Sequence, residues 1–574
     1  MKKSSNLLSA ALLTVFLFTN SFAQSATASQ TKPKTSDEVQ TTRLTKTVTT
    51  EKIELDMAEA LTLIQDNYVG GKNLDYNELF KTSITSMLHT LDPHSNYFDA
   101  KEFEQFRTEQ SSQYFGIGAS IGSLSDKNGK TIATFIRATF QDAPANRAGF
   151  RYGDKIVEVN GVSMLGKTSA EVSSNLRGPR GTVAKIVVEH YGTGARETVE
   201  IIRDAVSQPS IPEAYMIRPG VGYIAMTGSF NQTTYSEFRQ AMTELKGQGM
   251  TQLVLDLRNN GGGLVREALQ VANTFLTRGQ NIFTQKGRLD GVESPYPAEN
   301  ANPDTTPIVM LVNRNTASAS EILAGALQDH DRALIVGENT FGKGLVQNPF
   351  VVEYGSMLLL TIAKYQTPSG RLIQRDYSDG NLYNYYTDGG SLRDDNTEIK
   401  PKGLESKTDL GRKVYSGGGI NPDEIIKPQT ITTEKARFQQ KFNDPIFAFT
   451  LDLAFGKIKG FETYKVDRPI TFSYDLKATD FPITDNLYQT FKKYAAEKYN
   501  LTAAQVDRER EFVERVLRTE LVTAAFGTTT SLQVFNEYDS QLKKAIELLP
   551  QAKQLAVESA RINAQKSKIE STNR

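Results

Sequence analysis

The 574-residue chain has no cysteine. That excludes disulfides, thiol nucleophiles and thiolate metal sites, and it suits an exported protein that avoids thiol oxidation. Histidine is scarce as well: His89, His94, His190 and His330 are all there are. The commonest general base and metal ligand is therefore in short supply, and no carboxylate or cysteine spacing around His89 and His94 supports a metal site. No metal and no cofactor are expected. An excess of one charge is missing too, with 66 Lys and Arg against 66 Asp and Glu. Nothing points to nucleic acid or an acidic membrane surface as a partner.

The length implies three or four domains, each able to bury a core. Residues 1–24 begin with Lys2-Lys3, continue apolar from Leu7 to Phe18 and end on small residues near Ala23. That is a secretory signal, with an uncleaved anchor as the other open reading, and it predicts a periplasmic or envelope-associated protein. Residues 25–50 are polar and read as a disordered tether. Residues 51–110 show helical periodicity, with Met57, Leu61, Ile64 and Tyr68 on one face. Residues 111–204 form a separate module, and 205–218, interrupted by Pro209 and Pro212, read as a linker. From Gly220 strands and helices alternate, which indicates an α/β core to about 428. Within it, 375–418 is rich in Tyr, Asp and Gly and reads as a long surface loop. Residues 429–574 read as a helical C-terminal domain. Its stripes, Val513/Val516/Leu517/Leu521 and Phe535/Tyr538/Leu542/Ala545/Ile546/Leu549, suit either its own core or a homo-oligomer or adaptor surface.

The centre of this core is Asn313–Glu321. An apolar run, Pro307–Val312, predicts a buried strand before it, and Ile322, Leu323 and Leu327 predict a helix after it. Ser318 then falls at a strand-to-helix turn, where a hydroxyl projects beside free backbone N–H groups. The nearest base in sequence is Lys343, framed by Gly342 and Gly344. At its ordinary value a lysine is neutral in roughly one molecule in a few thousand at pH 7, so burial has to lower it. A second feature is Asn259-Asn-Gly-Gly-Gly-Leu264 at a strand end, where glycine permits close backbone approach and an N–H aimed at an oxyanion.

These residues resemble the carboxyl-terminal processing, or tail-specific, proteases of serine peptidase family S41. The match runs from about Leu91-Asp-Pro-His-Ser-Asn-Tyr-Phe98 to Gly419-Ile-Asn-Pro-Asp423. The resemblance implies Ser318 as nucleophile, Lys343 as base and Gln347 as the residue that orients the lysine. It also implies an oxyanion hole from the N–H groups of Gly262 and Ala319, and a multidomain α/β fold with a crotonase-like core.

Tyr114-Phe-Gly-Ile-Gly118 and Asp142–Gly161 resemble a PDZ domain inserted in that fold. By that resemblance Phe115, Gly116, Ile117 and Gly118 cradle a substrate C-terminus, and Ile117, Val172 and Leu176 line its side-chain pocket. Arg177 is linked in the family to coupling between tail binding and the active site; a solvated arginine at a helix end is the other reading. The function implied is an endopeptidase acting on proteins with exposed C-terminal tails. The alternative is a non-catalytic PDZ adaptor or chaperone on a peptidase-like scaffold.

Overall fold

The computed structural model describes residues 49–70, 73–111, 113–288, 294–393, 403–466 and 468–572. The expected signal and most of the tether lie outside these residues. The chain divides into two compact units, one up to Met87 and one from Leu88 onward. In the first, the helix Thr50–Asn67 buries none of its residues, and Met57 and Tyr68 stay exposed. Among the described residues no helix is long and apolar enough to cross a membrane.

The second unit is built on a sheet in the order Glu213–Arg218, Val221–Ala225, Gln252–Asp256, Ile308–Val312, Ala333–Gly337, Glu424–Ile425. Only the first pair is antiparallel. Strands covered on both faces read as continuous apolar runs, and Ile308–Val312 is buried at all five positions. One face packs on helices through Phe238, Val271, Phe275, Leu323 and Leu327. A second, antiparallel sheet carries Met357–Gln366, flanked by Asn96–Phe98 and Asn281–Gly287 and also paired with Leu345–Val351.

The proline-bearing stretch expected as a linker holds two strands. Asp204–Ser207 pairs with Gln113–Gly116, and Glu213–Arg218 opens the main sheet. Pro209 and Pro212 sit between these strands, where no ladder hydrogen bond is lost. The inserted module is thus tethered by a two-stranded ribbon. Its own sheet runs Ala119–Ser125, Thr131–Thr139, Lys155–Val159, Val183–Glu189, Arg196–Ile202. Ala119–Ser125 is an edge strand, with the helix Ser169–Leu176 beside it.

The C-terminal helices bury most of their stripes inside the chain, with Phe535 left exposed. Val513, Leu517 and Leu521 join an aromatic core with Phe449, Tyr488 and Phe491. Leu542, Ala545, Ile546 and Leu549 cover the second face of the main sheet against Tyr223, Val254, Val309 and Leu334. Each fully buried Leu or Ile contributes about 2 kcal/mol, so these stripes hold the region onto the core. A third contact reaches the inserted module, where Phe135 and Tyr152 pack on Phe447 and Leu451. There Arg137 stacks 3.9 Å from the Phe447 ring and pairs with Glu520.

Candidate active site

Ser318 closes the turn between the strand Ile308–Val312 and the fully buried helix Ala319–Asp329. Its backbone is at φ 57°, ψ −119°, a conformation strained for a residue with a side chain. A sharp strand-to-helix elbow of this kind can present a side chain as a nucleophile. The turn is held from below. Ala317 N–H donates to Asn260 O, and Thr316 Oγ1 donates to Leu257 O at 2.8 Å.

Glu321 fastens the elbow to the Lys343 loop. Its Oε2 accepts from Ser318 N–H and Lys343 N–H, both at 2.8 Å. Its Oε1 accepts from Gly342 N–H at 2.7 Å and from the Thr340 hydroxyl. Burial raises this carboxyl and the hydrogen bonds pull it back toward the charged form. Tyr365 adds a second tie, its hydroxyl lying 3.1 Å from both Ser318 O and Lys343 O.

Lys343 Nζ donates to Gln347 Oε1 at 2.8 Å. Burial pushes the ammonium down to about 8, opposed by the charges of Asp92 and Glu321. No hydrogen bond joins Ser318 Oγ to Lys343 Nζ among the described residues. Gln347 is itself held, its Nε2 donating to His94 O at 2.5 Å. Composition alone makes His94 a packing or surface residue, yet it stands beside the lysine. Its ring bonds Tyr385 OH at 2.9 Å, and burial with the charges of Lys343 and Arg375 keeps it neutral. Asp92 caps the same turn, accepting from His94 N–H and Ser95 N–H at 2.8 Å and from Ser95 Oγ at 2.6 Å.

The glycine loop reaches the elbow. A Cβ on Gly262 would lie 2.7 Å from Ala317 O and 2.8 Å from Ser318 Cβ, so only glycine fits. Ala319 N–H makes no hydrogen bond among the described residues, as befits the first turn of a helix. Gly262 N–H donates to Asn260 Oδ1 at 2.9 Å. Of the two expected oxyanion donors, Ala319 is free and Gly262 is engaged in this arrangement.

In the inserted module Ile117, Val172 and Leu176 belong to one buried cluster, and Phe115 and Gly116 lie on the ribbon strand. The carbonyls of Ile117 and Gly118 accept from Ala145 and Phe140, while their own N–H groups donate to nothing among the described residues. Gly118 has φ 73°, and a Cβ there would meet Ala143 Cβ at 2.3 Å. Arg177 is exposed and lies 5.7 Å from the Tyr114 ring. Arg203, absent from the sequence reading, caps the pocket helix by donating to Leu176 O and Asn175 O.

The segment read as a surface loop is partly interior. Its helix Leu382–Thr387 buries Tyr385, and Arg375 and Arg393 are buried on either side. Tyr385 packs with Ala317 and Phe341 beside the elbow.

An elbow serine, a desolvated lysine and the inserted module point to a serine-type peptidase with a PDZ domain. Comparison with known proteins gives the same class. The model of peptidase family S41 matches residues 220–380, and that of the PDZ domain matches 141–190. The carboxy-terminal-processing protease of Bartonella bacilliformis is 34% identical over 305 residues, 52% of this chain and 68% of that protein. The carboxyl-terminal-processing protease of Synechocystis sp. is 34% identical over 310 residues, 53% of this chain and 71% of that protein. The chain belongs to the carboxyl-terminal-processing proteases of peptidase family S41.

Proposed function

We propose that the protein is an endopeptidase of the cell envelope that takes substrate tails into its PDZ domain and cuts them with Ser318 and Lys343. The reading rests above all on one observation: Glu321 ties the backbone of the strained Ser318 elbow to that of the desolvated Lys343. Neutral Lys343 accepts the Ser318 Oγ proton as Oγ bonds to the scissile carbonyl carbon. One of its two N–H groups stays on Gln347 Oε1, which restricts how the amine and its lone pair can turn. The oxyanion faces Ala319 N–H and the Gly262 loop, whose amide exchanges Asn260 for the oxyanion. Collapse breaks the C–N bond, and the Lys343 ammonium returns the proton to the leaving amine. Water then hydrolyses the acyl-enzyme with Lys343 again as base.

The free N–H groups of Ile117 and Gly118 and the open edge of Ala119–Ser125 suit a terminal carboxylate followed by an added strand. The mostly parallel main sheet with its flanking helices supports a crotonase-like core. The test is degradation of an unfolded protein with an apolar C-terminal tail by wild type, Ser318→Ala and Lys343→Ala. Cleavage by wild type alone supports the reading; cleavage that survives in Ser318→Ala overturns it.

A further inference from the structure

We infer that Arg375 is a carboxylate-binding residue of the substrate cleft, taking one carboxylate of the bound peptide beside the scissile bond. The inference rests on the Ser318–Lys343 reading. Arg375 is 8% exposed, yet its Nε, Nη1 and Nη2 are all buried without a hydrogen-bond partner. Buried charges are ordinarily paired, and a guanidinium left with none of its donors used is a costly exception. Two aromatic rings lie against it instead, Phe341 at 4.5 Å and Tyr385 at 4.6 Å, set edge to face 5.8 Å from each other so that they flank it on adjacent sides. Aromatic faces hold the cation without satisfying its N–H groups, and Nη1 lies against the backbone at Gly390.

The position is fixed by the backbone. Arg375 N–H donates to Gly342 O at 3.0 Å, and Gly344 N–H donates to Gln374 Oε1 at 2.7 Å. Gln374 and Arg375 therefore run alongside Gly342–Gly344, with Lys343 between. Phe341 N–H donates to Thr316 O, which brings the stacked ring up to the elbow.

Among the described residues, the carboxylates nearest the site are already committed. Glu321 is filled by four donors. Asp92 serves the turn at His94 and Ser95. Glu338 pairs with Arg314 at 2.8 Å and lies 3.7 Å from Arg393. The uncompensated cation is then Arg375, and the group that fits its planar fork is a carboxylate accepting two parallel N–H bonds. Entry requires the short helix Leu382–Thr387, which carries Tyr385, to move off the guanidinium edge. Two sources supply that chemistry: an Asp or Glu side chain near the scissile bond, or the terminal carboxylate of a short substrate.

The experiment compares matched fluorogenic peptides, Glu against Gln at each position flanking the cut, and free acid against amide at the C-terminus. Wild type, Arg375→Gln and Arg375→Lys are assayed for kcat/KM, and binding of the same peptides is measured on Ser318→Ala. Wild type should favour the carboxylate member of one pair by about ten- to a hundredfold. Arg375→Gln should bring that ratio close to one, with Arg375→Lys in between. A Glu preference identifies the side chain as the source, and a free-acid preference identifies the terminus. Tail capture by the PDZ domain is the same for both members of a Glu/Gln pair and cancels there. In the acid/amide pair it contributes equally in every variant, so only the part of the preference lost in Arg375→Gln is assigned to Arg375. No preference in wild type, or the same preference in Arg375→Gln, overturns the inference. Cleavage persisting in Ser318→Ala overturns the nucleophile instead, and leaves the Arg375 ratio readable.

Discussion

Cleavage should follow the fraction of Lys343 that is neutral. With the ammonium pushed down to about 8, about one molecule in ten carries the free amine at pH 7 and about one in a hundred at pH 6. A lysine at its ordinary 10.5 would supply about one in 3,000 at pH 7. Burial thus raises the reactive fraction about 300-fold, equivalent to about 3 kcal/mol. The same shift lowers stability. The folded state carries that cost in full below pH 8 and loses it as the pH rises from about 8 to 10.5, where only the unfolded chain holds the proton. The assay is kcat/KM on a tailed peptide from pH 6 to 9, which should climb about tenfold between pH 6 and 7 and bend near 8. Asp92 opposes burial by favouring the ammonium, so Asp92→Asn should move the bend to lower pH. Asparagine keeps the N–H bonds of the turn through its Oδ1, which makes the change mainly one of charge. A flat wild-type profile, a bend near 6.5 as a histidine base would give, or an upward move in Asp92→Asn would refute the reasoning.

Three further outcomes are expected. Glu321→Gln turns an amide nitrogen toward two of four buried donors, which should cost about 2–5 kcal/mol in thermal unfolding and lower kcat; unchanged stability would contradict the tie. Gly262→Ala drives a Cβ into Ala317 O at a φ of 97°, so kcat should fall at least about a hundredfold with little change in tail binding. Arg137→Ala leaves Glu520 without its partner and removes the stack on Phe447. Calorimetry should then show the PDZ module melting apart from the rest, and a single unshifted transition would contradict that contact.

The parts of the site that lie on one short stretch were legible in the sequence. The apolar run before Ser318 and the helical spacing after it define the elbow, because strand and helix periods differ. Lys343 stood out through its flanking glycines, and Gln347 through family resemblance. His94 and Asp92 were not legible as site residues. Their place depends on Asn96–Phe98 pairing with Met357–Gln366, more than 250 residues on, and no local pattern encodes that register. Arg375 was hidden for a different reason. Its burial comes from Phe341 and from Tyr385 on a helix of six residues, too short to show a period in a polar segment. The C-terminal stripes announced buried faces, but an amphipathic pattern does not say whether the covering surface is in the same chain. Here the first stripe is covered by neighbouring C-terminal helices and the second by the main sheet.

The most direct test of the central claim is to trap the nucleophile. The purified protein is treated with a fluorophosphonate, and the adduct is located by peptide mass spectrometry in wild type, Ser318→Ala and Lys343→Met. One adduct is expected, on Ser318, formed faster as the pH rises toward 8 and nearly absent in Lys343→Met. An adduct on Ser320 or elsewhere, or labelling of Lys343→Met at the wild-type rate, would contradict it.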